Sequence, residues 1–465
     1  MMLPDEIKRV WLIGIGGIGM SALARYFKLR GCMVAGYDRT PSPVTDALQE
    51  EGIEVVFDEN PDLIGPPFRA KEGTLIIFTP AVGEDQAQLI FFREGGFAVM
   101  KRAQVLGLVS RGSRSVCIAG THGKTTITTL TAHLYRESSL GCCAFLGGIA
   151  KNFNTNFLWD ETSEYVVLEA DEFDRSFLWL RPYTALISAV DADHLDVYGT
   201  RESFLEAFAE FASGVVSGGS LLIKDGLPLD LSKLDPGVNI YTYSLNSKRA
   251  DFYAENIRID KGSYCFDLMT PAGVISGLEM GIPGLLNVEN AVGAMGLALL
   301  NGVQPDEIRR ALPMFRGIRR RFDIWHKTED FAFIDDYAHH PEEIRATVQS
   351  VRLMYPGYHL TGVFQPHLYT RTRDFADGFA DALSLLDEVV LADIYPAREE
   401  PIPGITSRSI GELISGTPVT YVEYDKLIES LTPRKDVPQV ILTMGAGDID
   451  RLVPVLAEKF KLLKK

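Results

Sequence analysis

Apolar and polar positions along this chain follow two alternating rhythms. Val10 to Ile15 is an unbroken apolar run of strand character, and Met20, Leu23, Ala24 and Phe27 then recur at the spacing of one helix face. A second apolar run, MVAGYD, ends at Asp38. Strand-like runs and helical patterns continue to alternate through VCIAG (116–120) and YVVLEADE (165–172). FAFIDDY, HLTGVFQ, EVVLADI and QVILTMG extend the pattern to the C-terminal part, which predicts a further doubly wound sheet there. The whole pattern predicts α/β layers with mostly parallel sheets. Residues 219–280 depart from it, with short patterned stretches such as SYCFDLM, and predict a small antiparallel addition to the middle of the chain.

Two breaks divide the pattern. Turn-prone SRGSRS (110–115) precedes VCIAG, and in LPMFRGIRRRF a helical pattern ends at Arg316 and Gly317 where a basic run begins. The expected domains are therefore 1–110, 111–317 and 318–465. A chain of 465 residues agrees with about three domains of ~150 residues each.

Composition narrows the classes of function. With 46% hydrophobic and 23% charged residues the chain reads as a soluble globular protein. A net charge of −16 argues against a nucleic-acid binder, which coats phosphates with a basic surface, but leaves nucleotides open. No apolar run approaches the ~18 residues of a membrane span, so no membrane association is expected. The opening MMLPDEIKRV lacks the charged-then-apolar order of a signal peptide. The 5 cysteines (Cys32, Cys117, Cys142, Cys143 and Cys265) form no C-x-x-C pair and read as free thiols in a reducing compartment.

Two glycine loops carry the first chemical signals. Gly14, Gly16 and Gly19 fit G-x-G-x-x-G between a strand and a helix, and Asp38 follows at about the 20-residue spacing of a ribose-binding carboxylate. Taken alone, this fingerprint favours NAD. In CIAGTHGKTT a strand runs into Gly120 and Gly123, then Lys124, Thr125 and Thr126 at the start of a helix. Such a loop aims backbone N–H groups at phosphates, the lysine neutralises β- and γ-phosphate charge, and a threonine hydroxyl reaches Mg²⁺. The loop is compressed relative to the standard P-loop, with Ile118 where that pattern has its first glycine. ATP and Mg²⁺ are the cofactors expected. Two phosphate loops in separate domains fit an ATP-dependent enzyme acting on a second, diphosphate-bearing substrate.

GTHGKTT, EADEFDRSF, DADHLDVYG, PGLLNVENA, RRRF, DDYAHHPEE and QPHLYTRTRDF occur in an order and spacing that resemble the Mur ligase family, from the first glycine loop to GAGDID at 445–450. The resemblance implies an N-terminal Rossmann-like domain, a central P-loop ATPase-like α/β domain and a C-terminal Rossmann-like domain. It also implies ATP-driven joining of L-alanine to the carboxylate of UDP-N-acetylmuramic acid through an acyl phosphate. The setting implied is cytoplasmic, and a monomer or weak homodimer is expected.

In this reading the sugar nucleotide takes Gly14, Gly16, Gly17 and Gly19, with Asp38, Thr79, Pro80, Lys101 and Arg102 around it. Gly120, Thr121, His122, Gly123, Lys124, Thr125 and Thr126 cradle ATP, and Asn287 and Asn290 meet adenine. Thr125, Glu169 and His194 are the implied Mg²⁺ ligands. Asp171, Glu172 and Asp174 crowd the turn after Glu169. Arg321 faces the transferred phosphate and Asp336 the nucleotide, while Arg319 and Arg320 read as surface or interdomain charges. Tyr337, His339, His367 and Arg371 would handle alanine, with His339 as base or positioner and His340 structural. The implied catalytic set is Lys124, Glu169, His194, Arg321, His339 and Arg371. Three positions depart from relatives: Phe208 stands where related ligases carry a carbamylated lysine, Leu286 where many have histidine, and Leu368 where some have arginine. Closure about Arg316 and Gly317 is expected to assemble the site. The alternatives are a ligase that recycles a tripeptide onto the same sugar nucleotide, an NAD-dependent oxidoreductase, and a non-catalytic nucleotide-binding regulator.

Overall fold

The computed structural model describes residues 7–191, 195–260, 263–397 and 399–464. Its strands form three sheets, each in an α/β domain. The first sheet contains β1 (Arg9–Ile13), β2 (Met33–Tyr37), β3 (Glu54–Val56), β4 (Thr74–Phe78) and β5 (Ala98–Lys101), in the order β3-β2-β1-β4-β5. All its pairings are parallel. The strand order reverses between β1 and β4, so the loop after β1 opens at the switch point where such sheets bind ligands.

The second sheet has ten strands. They are β6 (Arg114–Ala119), β7 (Cys143–Ala150), β8 (Thr155–Leu158), β9 (Tyr165–Glu169), β10 (Thr184–Ile187), β11 (Ser220–Lys224), β12 (Asn239–Ser244), β13 (Phe252–Asp260), β14 (Ser263–Thr270) and β15 (Gly273–Glu279). Their order is β15-β14-β13-β12-β11-β10-β6-β9-β7-β8. Residues 219–280 match the expectation of a small antiparallel addition only in their second part. In the first, β11 pairs parallel to β10, β12 to β11 and β13 to β12, so the main sheet simply continues. Beyond β13 the sheet ends in an antiparallel meander: only two residues separate β13 from its neighbour β14, too few for a parallel crossover, and β14 pairs antiparallel to β15. The sequence did not separate out the parallel part because β12 and β13 are partly exposed and lack the continuous apolar run of a buried parallel strand.

The third sheet, β16 (Asp323–Lys327), β17 (Phe331–Asp336), β18 (His359–Phe364), β19 (Glu388–Leu391), β20 (Val419–Tyr421) and β21 (Gln439–Met444), runs β16-β17-β21-β18-β19-β20. It is parallel except at the edge strand β16. Successive β21 side chains face two apolar layers, Val440, Leu442 and Met444 in one and Ile441 in the other. That double burial explains its unbroken apolar sequence.

One compact unit runs to Arg258 and takes in Cys265–Glu279 and Glu289–Arg316; a second takes in Ile259–Tyr264, Met280–Val288 and Gly317 onwards. In the first unit a continuous apolar cluster links the first two sheets, from Leu12 and Phe27 to Phe145, Phe157 and Leu168. Buried Asn156 of β8 ties the same join, donating from Nδ2 to Ile18 O (2.6 Å) and Ser21 Oγ (2.9 Å) on the helix that follows the first glycine loop. Phe208 packs in an aromatic cluster with Phe177 and Phe204, ring centroids 5.0 and 5.1 Å away.

Candidate active site

Each glycine of the first fingerprint faces a residue expected to bind the sugar nucleotide. A Cβ on Gly14 would lie 2.6 Å from Thr79 Cγ2, one on Gly16 2.8 Å from Asp38 Oδ2, and one on Gly19 2.5 Å from Arg102 Nη1. Gly14, at φ +83°, and Gly16 keep the cleft free of crowding with Thr79, Asp38 and Thr45, while at Gly19 the long Arg102 side chain could shift aside. Asp38 works on the loop itself, with Oδ2 accepting from Gly16 N (2.7 Å) and Oδ1 from Thr40 N (3.3 Å). Thr79 and Pro80 follow β4, and Lys101 and Arg102 lie at the end of β5, so parallel pairing brings all of them to the edge where β1 delivers Gly14 to Gly19.

The second glycine loop follows β6. Gly123 caps the helix Lys124–Arg136 with φ +82°, a left-handed conformation that glycine adopts without a Cβ penalty. A Cβ on Gly120 would sit 2.2 Å from Ser188 Oγ, and one on Gly123 2.8 Å from Asn290 Oδ1. The loop is therefore braced by the segment after β10 and by the helix Leu285–Leu300, which carries both asparagines. Thr121 N donates to Ala189 O (3.1 Å), and Thr121 Oγ1 accepts from Asp191 N (3.3 Å). His122 Nε2 lies 3.6 Å from Asp191 Oδ2. Asn287 Nδ2 donates to Pro283 O at 2.5 Å, which fixes its own helical turn.

The pairing of β6 with β9 sets Ile118 opposite Glu169 and brings the acidic loop to the phosphate loop. Thr125 Oγ1 donates to Glu169 Oε1 (3.2 Å), placing two hard oxygens together at the end of a parallel strand. Such a donor set suits a hard divalent cation. His194 lies outside the described residues. Lys124 Nζ donates to Glu172 Oε1 (2.7 Å) and Gly120 O (2.6 Å). Burial pulls the Lys124 ammonium down, but the carboxylates of Glu172, Asp171 and Glu169 outweigh it and leave its pKa above the ordinary lysine value. Arg102 Nη2 reaches Asp171 Oδ2 at 2.9 Å, and Lys101 Nζ lies 3.7 Å from Asp174 Oδ2. The acidic turn thus meets cations from both phosphate-loop regions. Thr126 is buried in the first turn of its helix.

Sequence reasoning missed Gly147. A Cβ there would lie 2.0 Å from Glu169 Oε2, so any side chain on β7 at this position would displace the carboxylate. A second glycine inside a strand pattern was the available signal.

In the second unit the predicted residues converge at the C-terminal ends of β17, β18 and β21. Asp336 is buried, and Oδ2 accepts from Phe322 N (2.8 Å) while Oδ1 accepts from Ala338 N (2.8 Å). It staples two loops together. Burial, opposed by Arg321, raises its carboxyl to about 6. Arg321 lies over the Tyr337 ring (4.9 Å) and 3.9 Å from Glu343 Oε1. His339 shares Nδ1 between Tyr337 O (3.0 Å) and Glu343 Oε2 (3.3 Å), which directs Nε2 to act as an acceptor. Burial lowers its pKa to about 4, with Glu343 opposing and the charges of Arg371 and Arg321 adding to the shift. The ring of His367 lies 6.3 Å from that of His339 and stacks on Tyr395 at 5.8 Å. Arg371 sits in the next helix, Tyr369–Asp374. His340 caps the helix Pro341–Met354, its Nδ1 accepting from Glu342 N.

Arg320 corrects its reading as a surface or interdomain charge. Its Nη2 donates to Gly445 O (2.6 Å), Nη1 lies 3.2 Å from Asp450 Oδ2, and Nε lies 3.7 Å from buried Asp335. The sequence could not show this, because the partners come from β17 and from beyond β21.

Two phosphate-suited glycine loops, a lysine and hard oxygens beside one of them, and a cluster of arginine and histidine on a third α/β domain define a nucleotide-dependent group-transfer enzyme. Residues 9–114 match the Mur ligase family, catalytic domain; residues 118–298 the Mur ligase middle domain; and residues 320–447 the Mur ligase, glutamate ligase domain. The chain belongs to the Mur ligase family, and it is a ligase. It is 50% identical to the UDP-N-acetylmuramate–L-alanine ligase of Phocaeicola vulgatus over 97% of each chain. The crystal structure of UDP-N-acetylmuramate-alanine ligase MurC from Thermotoga maritima is similar with a TM-score of 0.82 and 27% identity, covering 98% of this chain and 100% of that one. A murein peptide ligase from Psychrobacter arcticus shares the fold, with a TM-score of 0.70 at 21% identity over 97% of this chain and 99% of that one.

Proposed function

We infer that this chain joins L-alanine to the carboxylate of UDP-N-acetylmuramic acid, driven by ATP and Mg²⁺. The observation that carries this reading is half identity to a named alanine ligase along almost the full length of both chains. The NAD reading of the first glycine loop leaves the second loop and its threonine–glutamate oxygens without a role. In the proposed enzyme the boundaries near 110 and 317 separate sugar-nucleotide, ATP and alanine domains. The chain acts as a cytoplasmic monomer or weak homodimer. Among the described residues no helix is long and apolar enough to cross a membrane.

The first loop and Arg102 hold the diphosphate of the sugar nucleotide, with Asp38, Thr79, Pro80 and Lys101 around it. Gly120 to Thr126 hold the triphosphate, and Asn287 and Asn290 bound the adenine side. Thr125 and Glu169, joined by His194, offer the oxygen and nitrogen ligands for Mg²⁺. Bound ATP supplies the phosphoryl group that activates the muramyl carboxylate. Lys124 and Arg321 neutralise charge on that group, since phosphoryl transfer depends on positioning and electrostatics more than on covalent help. Arg371 and His367 take the alanine carboxylate. His339 Nε2 accepts a hydrogen bond from the alanine amine; a pKa of about 4 makes it a poor base for an ammonium, so it orients the amine more than it deprotonates it.

The test is phosphate release with ATP, Mg²⁺ and UDP-N-acetylmuramic acid, supplying L-alanine in one reaction and L-alanyl-γ-D-glutamyl-diaminopimelate in another, with mass analysis of products. Alanine-dependent turnover, yielding the sugar nucleotide plus one alanine, is expected. Turnover only with the tripeptide would assign the recycling reaction instead.

A further inference from the structure

The turn Gly317–Phe322 carries three consecutive arginines, and its backbone is strained around the middle one of its last three residues. Arg320 has φ +63° and Phe322 φ +47°, so Arg321 is flanked by two non-glycine residues in the left-handed region. Each such residue is disfavoured and persists only where its surroundings over-determine it. The surroundings here are specific. Arg321 N donates to Ile318 O (3.3 Å), Tyr337 N to Arg320 O (2.7 Å), Phe322 N to Asp336 Oδ2 (2.8 Å) and Arg320 N to Asp323 Oδ2 (3.3 Å).

The side chains of Arg320 and Arg321 divide the work. Arg320 turns inward and commits its fork to Gly445 O, Asp450 and Asp335, joining the turn to the loop after β21 and to the buried end of β17. Arg321 is more exposed, and its guanidinium lies 3.9 Å from Glu343 Oε1, a long ion pair. Both guanidinium groups lie over the Tyr337 ring, at 5.0 and 4.9 Å. A lysine at 320 would keep the charge but could not make these divergent contacts from one planar group.

We propose that Arg320 is a positioning residue: anchored on Gly445, Asp450 and Asp335, it holds the strained turn in the one conformation that presents Arg321 to the reacting phosphate. The proposal rests on the reading of Arg321 as that phosphate's partner, and a displacement of about 1 Å at such a group costs up to ~100-fold in rate.

The experiment compares kcat, KM for ATP and thermal midpoint for R320K, R321K and R320K/R321K. We expect R320K to lower kcat about tenfold while the folded protein keeps its melting behaviour. Because Arg320 acts through Arg321, the double variant should be no slower than R321K alone. Native kcat in R320K overturns the proposal, and so does a tenfold loss that persists in full in the R321K background. Native activity in R321K instead removes the reading of Arg321, which separates the two failures. If R320K does not fold, D450N loosens the same anchor from its outer end; its smaller loss of kcat should likewise vanish in the R321K background, and persistence there overturns the proposal.

Discussion

Lys124 and Glu172 meet two demands at one place. Their ion pair is inside the first unit, with Glu172 almost fully buried. Burial raises the Glu172 carboxyl, against the pull of Lys124 and with Asp171 adding to the rise. Removing the lysine strands that carboxyl, a loss of about 3 kcal/mol; it also removes a phosphate-facing charge, a loss of at least about 100-fold in kcat. Lys124→Met should therefore lose both stability and activity, while Lys124→Met/Glu172→Gln recovers stability only. Chemical denaturation beside phosphate release reads the two, and turnover in the double variant would restrict Lys124 to a structural role. Asp335 gives a pH test. Burial raises its carboxyl to about 7, with Arg320 opposing and Thr443 Oγ1 donating to it at 2.8 Å. Between about pH 4 and 7 the folded chain keeps a proton there that the unfolded chain releases, so unfolding free energy falls as pH rises through that window. Asp336 slopes the same way, and depressed His339 slopes oppositely below about 6.5. Asp335→Asn should flatten the fall measured by denaturation between about pH 4 and 7; an unchanged slope would clear Asp335 of it.

At the scale of elements, parallel pairing makes the site. Glu169 reaches Thr125 because β9 lies beside β6, and β7 passes so close that a side chain at Gly147 would displace the carboxylate. Gly147→Ala should push the carboxylate away and lower kcat by about tenfold or more, with circular dichroism unchanged; full activity would show that Glu169 tolerates the shift. The strands themselves were legible in the sequence, because strands covered on both faces are nearly continuous apolar runs. Within residues 219–280 the antiparallel end was legible, but the parallel pairing of β11, β12 and β13 was not, since partly exposed strands carry the same pattern whichever way their partners run. Gly147 and Arg320 escaped for a related reason. What constrains them is a neighbour from another strand, and sequence spacing does not show which strands become neighbours. Among the described non-glycine residues in the left-handed region, Asp174, Arg175, Arg320, Phe322 and Leu368 lie in motif loops, whereas Asn154, Asn256 and Ala397 lie elsewhere. Strain at the motif loops is held in place by the sheets beneath them.

At the scale of the whole molecule, the first two sheets share one apolar cluster, whereas the third belongs to a second unit. Gly317, at φ +81°, begins the last segment of that unit. We propose closure about Arg316 and Gly317 when ATP and the sugar nucleotide bind, which assembles Arg321 and His339 with Lys124 and excludes water from the acyl phosphate. X-ray scattering should then give a smaller radius of gyration with an ATP analogue and UDP-N-acetylmuramic acid than without. Superimposable profiles would count against closure. The sequence by itself determined the three-domain α/β class and the motif-bearing loops, because burial period, glycine turns and charged loop residues are local properties. Tertiary structure alone decided which of those loops meet. The pairing of Arg102 with Asp171, the passage of Gly147 beside Glu169 and the anchoring of Arg320 depend on strand order, and strand order is set by packing between segments distant in the chain.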